Sequence, residues 1–298
     1  MAISIKSDHD VQMLRRAAGL VGEVLAEMAR RVQPGVETIA LDRVAEEIIR
    51  DAGARPAFKG YRVGSEVFPA SLCMSVGDVV VHGFPSAYQL QEGDLVSIDC
   101  GVELDGYFGD FAYTFPVGEV SEENRTLLTV TKQSLYEGIS QAVVGKRVGD
   151  IGYAVQSFCE ARGYGVVRDL VGHGIGRSLH EDPQVPNVGR RGQGKRLKEG
   201  MTLCIEPMIN RGTERVTMDA DGWTVRTADG APSAHYEHMV VVRRGEAEIL
   251  SSYDAIETAL AQTHGTTPTP GVPVHRATAP EGAAESAQPA SLAVSAQG

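Results

Sequence analysis

Apolar residues recur at intervals of three and four from Val11 to Arg30, the spacing that lays one stripe along an α-helix, and Asp8 stands ahead of the run as a start signal. The pattern stops before Pro34-Gly35. A second helical pattern spans about 39–52 and ends at Gly53, a third spans about 123–143, and a fourth spans about 151–161 before Gly163. Between them lie short apolar runs bounded by turn residues, at 95–101, 107–114, 201–206 and 237–242, which read as strands. Helices and strands that mix without a regular alternation predict an α+β fold.

The helical patterns also repeat faintly at an offset of 110 residues: Gly35 matches Gly145, Leu41 matches Ile151, Ala45 matches Val155, Ile48 matches Phe158 and Gly53 matches Gly163. Each copy is a glycine turn, an amphipathic helix and a closing glycine, followed by strand-rich sequence. Two equivalent halves related by a pseudo-twofold axis would leave a cleft between them. No glycine-rich nucleotide fingerprint follows a strand.

Composition sets the borders. With 298 residues and 42% hydrophobic content, the chain is long enough to enclose a site within its own core. From Gly265 onward, 26 of 34 residues are Gly, Ala, Pro, Ser, Thr or Gln, too polar and small to offset their ordering entropy. The folded domain is therefore expected over 3–252, with 253–298 a disordered Ala/Pro-rich tail. The net charge of −11 argues against a protein that grips nucleic acid phosphates, although the basic run RRGQGKR at 190–196 leaves room for transient ribosome contact. Four scattered cysteines form no CxxC pair and predict buried thiols in a reducing compartment. Neither a signal peptide nor a membrane helix is evident, so a soluble cytoplasmic protein is expected, monomeric because no coiled-coil stripe appears.

The polar residues on the strands change the picture most. Asp99 and Asp110 flank a hairpin turning near Asp105-Gly106. A two-residue Asp-Gly turn pairs Asp99 with Ala112, and a turn one residue earlier pairs it with Asp110; either register puts both carboxylates on one face. Facing acids on otherwise apolar strands must gain protons or cations. Glu206 shares a strand face with Cys204, and Glu237 shares one with His235. His173 lies in VGHGIGRSLHEDP at 171–183, where glycines let the backbone approach metals or substrate closely. Four carboxylates and one imidazole suit a pair of first-row divalent ions, and the absence of clustered thiolates argues against a structural zinc site.

These stretches resemble the type I methionine aminopeptidases of metallopeptidase family M24. The resemblance is carried by FPASLC at 68–73, VHGFP at 81–85, SIDCGV at 97–102, DGYFGD at 105–110, GHGIGRSLHEDPQV at 172–185, IEPM at 205–208, DGWT at 221–224 and YEH at 236–238, and it covers about 8–251. It implies the creatinase-like, or pita-bread, fold: two pseudo-twofold halves with mixed sheets and helices enclosing a central cleft. It further implies that Asp99 binds one ion, His173 and Glu206 bind the other, and Asp110 and Glu237 bridge them. The ions would be manganese, iron, cobalt or zinc.

By the same resemblance, His82 and His180 contact the substrate peptide during catalysis, Glu206 shuttles a proton, and Phe68, Cys73 and Trp223 line the methionine pocket. The implied reaction removes the N-terminal methionine from nascent proteins whose second residue is small. A prolidase or X-Pro aminopeptidase of the same fold, or a metal-free peptide-binding module, is the alternative. Three departures from the family pattern stand out: SVGD at 75–78, a longer segment at 62–67 that puts the rim tyrosine in doubt, and His235 where glutamine is common. His235 is expected to orient a carboxylate.

Overall fold

The computed structural model describes residues 3–264. Its first helix, α1 (Asp8–Arg31), begins with a reciprocal cap in which Ser7 Oγ accepts the Asp10 N–H and the Asp10 carboxylate accepts the Ser7 N–H. The apolar stripe of α1, with Val21, Leu25 and Met28 fully buried, lies across the strand Tyr107–Pro116 and forms one core with Ile98, Phe111 and Phe115. Contact is closest at Gly109, where any Cβ would collide with the backbone of Ala17.

Helix α2 (Thr38–Asp51), α3 (Glu122–Ile139) and α4 (Val148–Glu160) follow the apolar periodicity, with one difference. The pattern to 143 overshoots the end of α3, because Val144 donates its N–H to Arg243 O and draws the chain into tertiary pairing. A fifth helix, α5 (Asp254–His264), corrects the expected tail boundary. Tyr253, Ile256 and Ala259, spaced by three ahead of the compositional bias that begins at Gly265, bury their side chains as α5 packs on α1. The rest of the expected tail, 265–298, lies outside the described residues.

The 110-residue repeat is physical. Gly35 donates to Leu90 O while Leu90 donates to Val36 O; in the second copy Gly145 donates to Leu197 O while Leu197 donates to Lys146 O. Gly35, Gly53, Gly145 and Gly163 all take positive φ, so each copy needs the glycines that bound its helix.

Each half carries an antiparallel sheet. In the first, Leu95–Leu104 pairs with Tyr107–Pro116 on one side and with Leu72–Val76 and Arg55–Pro56 on the other. In the second, the order is Glu181–Pro186, Val171–Gly174, Thr202–Ile205, His238–Val241, Glu248–Ile249. The halves are joined at the cleft floor, where Glu237 N–H donates to Ala112 O at 3.1 Å. The hydroxyl of Tyr253 lies between the two carbonyls, 2.9 Å from Ala112 O and 2.7 Å from Glu237 O. Among the described residues no helix is long and apolar enough to cross a membrane.

Candidate metal centre and substrate cleft

The hairpin turn decides between the two registers. Asp105 and Gly106 both have positive φ, as a two-residue Asp-Gly turn requires, and Asp99 lies opposite Ala112 with Gly101 opposite Asp110. The two carboxylates share one face and come within hydrogen-bonding reach. Glu206 follows the last residue of Thr202–Ile205, and Glu237 precedes the first of His238–Val241. Asp99, Asp110, His173, Glu206 and Glu237 therefore converge on one cavity of about 480 Å³.

His173 is aimed by its own strand. Its Nδ1 lies 2.9 Å from Gly174 O; donating a proton there leaves the Nε2 lone pair facing the acids, 3.8 Å from Asp110 Oδ2 and 3.6 Å from Glu206 Oε1. The glycines around it let neighbouring strands approach closely, and Gly172 also lines the cavity. A Cβ on Gly172 would strike Cys204 O, and one on Gly174 would strike Asp182 O.

Electrostatically the centre is short of positive charge. No lysine or arginine lines the cavity among the described residues. Burial pushes Asp99 up to about 7, and it raises Asp110, Glu206 and Glu237 well above the carboxylate range, with repulsion from neighbouring acids adding to it. Burial also lowers His173 to about 3, so it stays neutral and able to ligate. Buried Asp99 Oδ1, Asp110 Oδ1 and Glu237 Oε1 have no hydrogen-bond partner. Orphaned carboxylate oxygens around a neutral imidazole are the donor set a divalent cation satisfies, so the residues fit a bound metal.

Asp110, His173, Cys204 and Glu237 each offer a donor atom within 4.8 Å of the others, forming a metal-binding cluster. Cys204 is the member that sequence reasoning left out, although its alternation with Glu206 signalled it. Burial and the neighbouring acids, Glu237 first among them, raise its thiol well above the usual range, and its Sγ donates to Asp110 O at 3.9 Å.

At the other end of the cavity Phe58, Phe68, Cys73, Leu179 and Trp223 form an apolar cluster, with Phe68 edge-on to Trp223 at 5.3 Å. Cys73 sits directly opposite Asp99, which brings the apolar wall up to the acids. Asp221 sets Trp223 by accepting the N–H groups of Trp223 and Thr224, each at 2.8 Å. His82 ends the strand region after Val79–Val81 with φ of 59°, a strained backbone for a non-glycine residue, and burial lowers its pKa to about 4. His180 stands at the mouth, with Tyr61 Oη 2.7 Å from its Nδ1.

The model of metallopeptidase family M24 matches residues 12–244. The chain belongs to this family, among its methionine aminopeptidases. It is 50% identical over 249 residues to the methionine aminopeptidase of Clostridium perfringens, covering 84% of this chain and 98% of that relative. The solved methionine aminopeptidase of Rickettsia prowazekii superposes with a TM-score of 0.82 at 40% identity, covering 84% of this chain and all of that one. An Xaa-Pro dipeptidase from Bacillus anthracis, at 22% identity and TM-score 0.68, shares the fold alone, and this chain covers 62% of its length. The α+β architecture is thus the pita-bread fold of the M24 enzymes.

Within this M24 metallopeptidase, Phe68, Cys73, His82, Asp99, Asp110, His173, His180, Glu206, Trp223 and Glu237 all line the cavity. The segment at 62–67 forms a small hairpin, Arg62–Val63 with Glu66–Val67, and leaves Tyr61 on the rim. His235 is buried with Nε2 unpartnered and 3.9 Å from Glu206 Oε2. Phe58 and Met208 also line the cavity, and no periodicity or spacing marked them.

Proposed function

We propose that this metallopeptidase removes the N-terminal methionine from polypeptides whose second residue is small, using two divalent ions. One observation carries the reading: a cluster of orphaned buried carboxylate oxygens directly adjoins an apolar pocket walled by Phe68, Cys73 and Trp223. An unbranched thioether suits such a pocket, and sulfur against an aromatic ring adds roughly 0.3 to 1.5 kcal/mol.

Asp99 would hold one ion and His173 with Glu206 the other, while Asp110 and Glu237 would span both. Held there, the ions would supply Lewis acidity toward the scissile carbonyl and water. Glu206, at the cavity wall, takes the proton of the attacking water and delivers it to the departing amine. His82 and His180, neutral at physiological pH, donate hydrogen bonds as charge develops on the carbonyl oxygen, each contributing about 2.7 to 4 kcal/mol. His235, lying beside Glu206, steadies that carboxylate.

The four free cysteines, all buried, fit a reducing cytoplasm, and nascent chains are the substrate we place there. The basic loop at 190–196 offers a contact for the ribosome.

The test is hydrolysis of Met-Ala-Ser by the chelated protein after stepwise addition of manganese, iron, cobalt or zinc. Release of methionine only with metal, with Gly-Pro untouched, is expected. Cleavage of Gly-Pro and not Met-Ala-Ser would transfer the assignment to a prolidase, and inertness toward both under every metal would leave a binding module.

A further inference from the structure

We infer that Lys6, in the segment ahead of α1, is a positioning residue for His180 and acts through the carboxylate of Glu181. The inference rests on the role given to His180 above, and it concerns how that imidazole is kept in place. Lys6 lies 175 residues from Glu181 in sequence, yet its Nζ is 2.5 Å from Glu181 Oε2 and its side chain is 5% exposed. The backbone there is also tied down, since Lys6 N–H donates to Gly200 O at 2.8 Å.

The second oxygen of Glu181 does separate work. Oε1 accepts the N–H groups of Arg177 and Ser178, at 3.0 and 3.3 Å, and Gly176 N–H closes the same turn onto Ser178 O. One carboxylate thus gathers the turn that leads into His180, and Lys6 fixes that carboxylate from the far side. Gly176 makes the approach possible, because a Cβ there would overlap both the Glu181 carboxylate and the Lys6 side chain. Glu181 also pairs with Gly174, the residue after His173, so the loop joining the two imidazoles is pinned at its base.

The ring of His180 has few anchors of its own: Tyr61 Oη at Nδ1, and an edge-on packing against His173 with centroids 4.4 Å apart. Its position therefore follows the backbone of 176–181. Displacing a catalytic group by about 1 Å costs on the order of 100-fold in rate, so a tether this remote has leverage.

The experiment compares Lys6→Ala, Lys6→Arg and Glu181→Gln with the unaltered full chain. With metal supplied, Lys6→Ala is expected to lower kcat on Met-Ala-Ser by about 10- to 100-fold, to leave KM within about twofold, and to leave bound metal unchanged. In the chelated protein, hydrogen exchange at Arg177 and Ser178 should quicken in Lys6→Ala while core amides of α1 stay protected. Lys6→Arg should restore both properties, and Glu181→Gln combined with Lys6→Ala should be no worse than either alone. Wild-type kcat in Lys6→Ala, or faster exchange spread evenly over the core, would overturn the inference. Failure of the unaltered protein on the peptide would strike the functional reading, and the exchange comparison would still decide whether Lys6 holds the loop.

Discussion

The two halves of the molecule share a scaffold and differ in what they hang on it. Each has a glycine-bounded helix preceded by a turn that exchanges hydrogen bonds with a leucine, Leu90 in one half and Leu197 in the other, and each supplies two of the four acids at the centre. Beyond that the halves diverge. The first supplies Phe58, Phe68, Cys73 and His82, whereas the second supplies Leu179 and Trp223 together with His173 and His180, which sit on a strand and loop thinned by glycines. The repeated part builds an acid-rich centre at the junction, and unrepeated parts of both halves supply the apolar wall and the imidazoles. An M24 enzyme of this kind keeps its chemistry at the seam because only there can acids from both sheets face one another.

Removing one acid from either half tests the shared role. Asp110→Ala and Glu237→Ala should each reduce turnover of Met-Ala-Ser on the order of 10⁴-fold, as loss of a residue acting in a unit does, and both should lose bound metal by elemental analysis. A deficit in only one of the two variants would break the symmetry of the centre.

Removing imidazoles sharpens the contrast. His82→Ala or His180→Ala should lower kcat by about 100- to 1000-fold with metal content intact, read by steady-state kinetics beside the same elemental analysis. Loss of metal in these variants would move the histidines into the acid group.

The apolar side should affect choice more than rate. Trp223→Ala is expected to erode preference for methionine over norvaline peptides by about 10- to 200-fold in kcat/KM, with metal unchanged. An unaltered preference would place the selecting pocket elsewhere.

The smallest expected effect concerns stability. In the ion-free protein Asp99 has a folded pKa of about 7 against an ordinary 3.8, so the folded state keeps a proton that the unfolded chain has released. Its stabilising contribution is full below about pH 3.8 and is lost as pH rises through about 7. The other buried acids shift the same way. Melting of chelated protein should therefore fall across that window, by about 2–4 °C for each kcal/mol lost, and added manganese should recover most at its upper end. A melting temperature that climbs with pH in the chelated protein would contradict the burial of these acids.

Taken alone, the order of residues determined whatever depends on near neighbours. Apolar periodicity placed α1 through α4, because a helix buries a stripe written every three or four residues. Period-two alternation put Asp99 and Asp110 on one face in either register, and the 110-residue offset marked the two halves. Motif resemblance then named the five acids and imidazoles that share the cavity.

Tertiary structure decided what depends on residues far apart in the chain. The positive φ values of Asp105 and Gly106 selected the hairpin register, and pairing of Val144 with Arg243 ended α3 early. The surface of α1 gave Tyr253, Ile256 and Ala259 something to cover, so residues expected in the tail fold as α5. Cys204 became the hydrogen-bond donor to Asp110 O, His235 came to rest beside Glu206, and Lys6 met Glu181, each across a gap that no local pattern records. Periodicity says which way a side chain points from its own backbone; what stands opposite is set only when the sheets close.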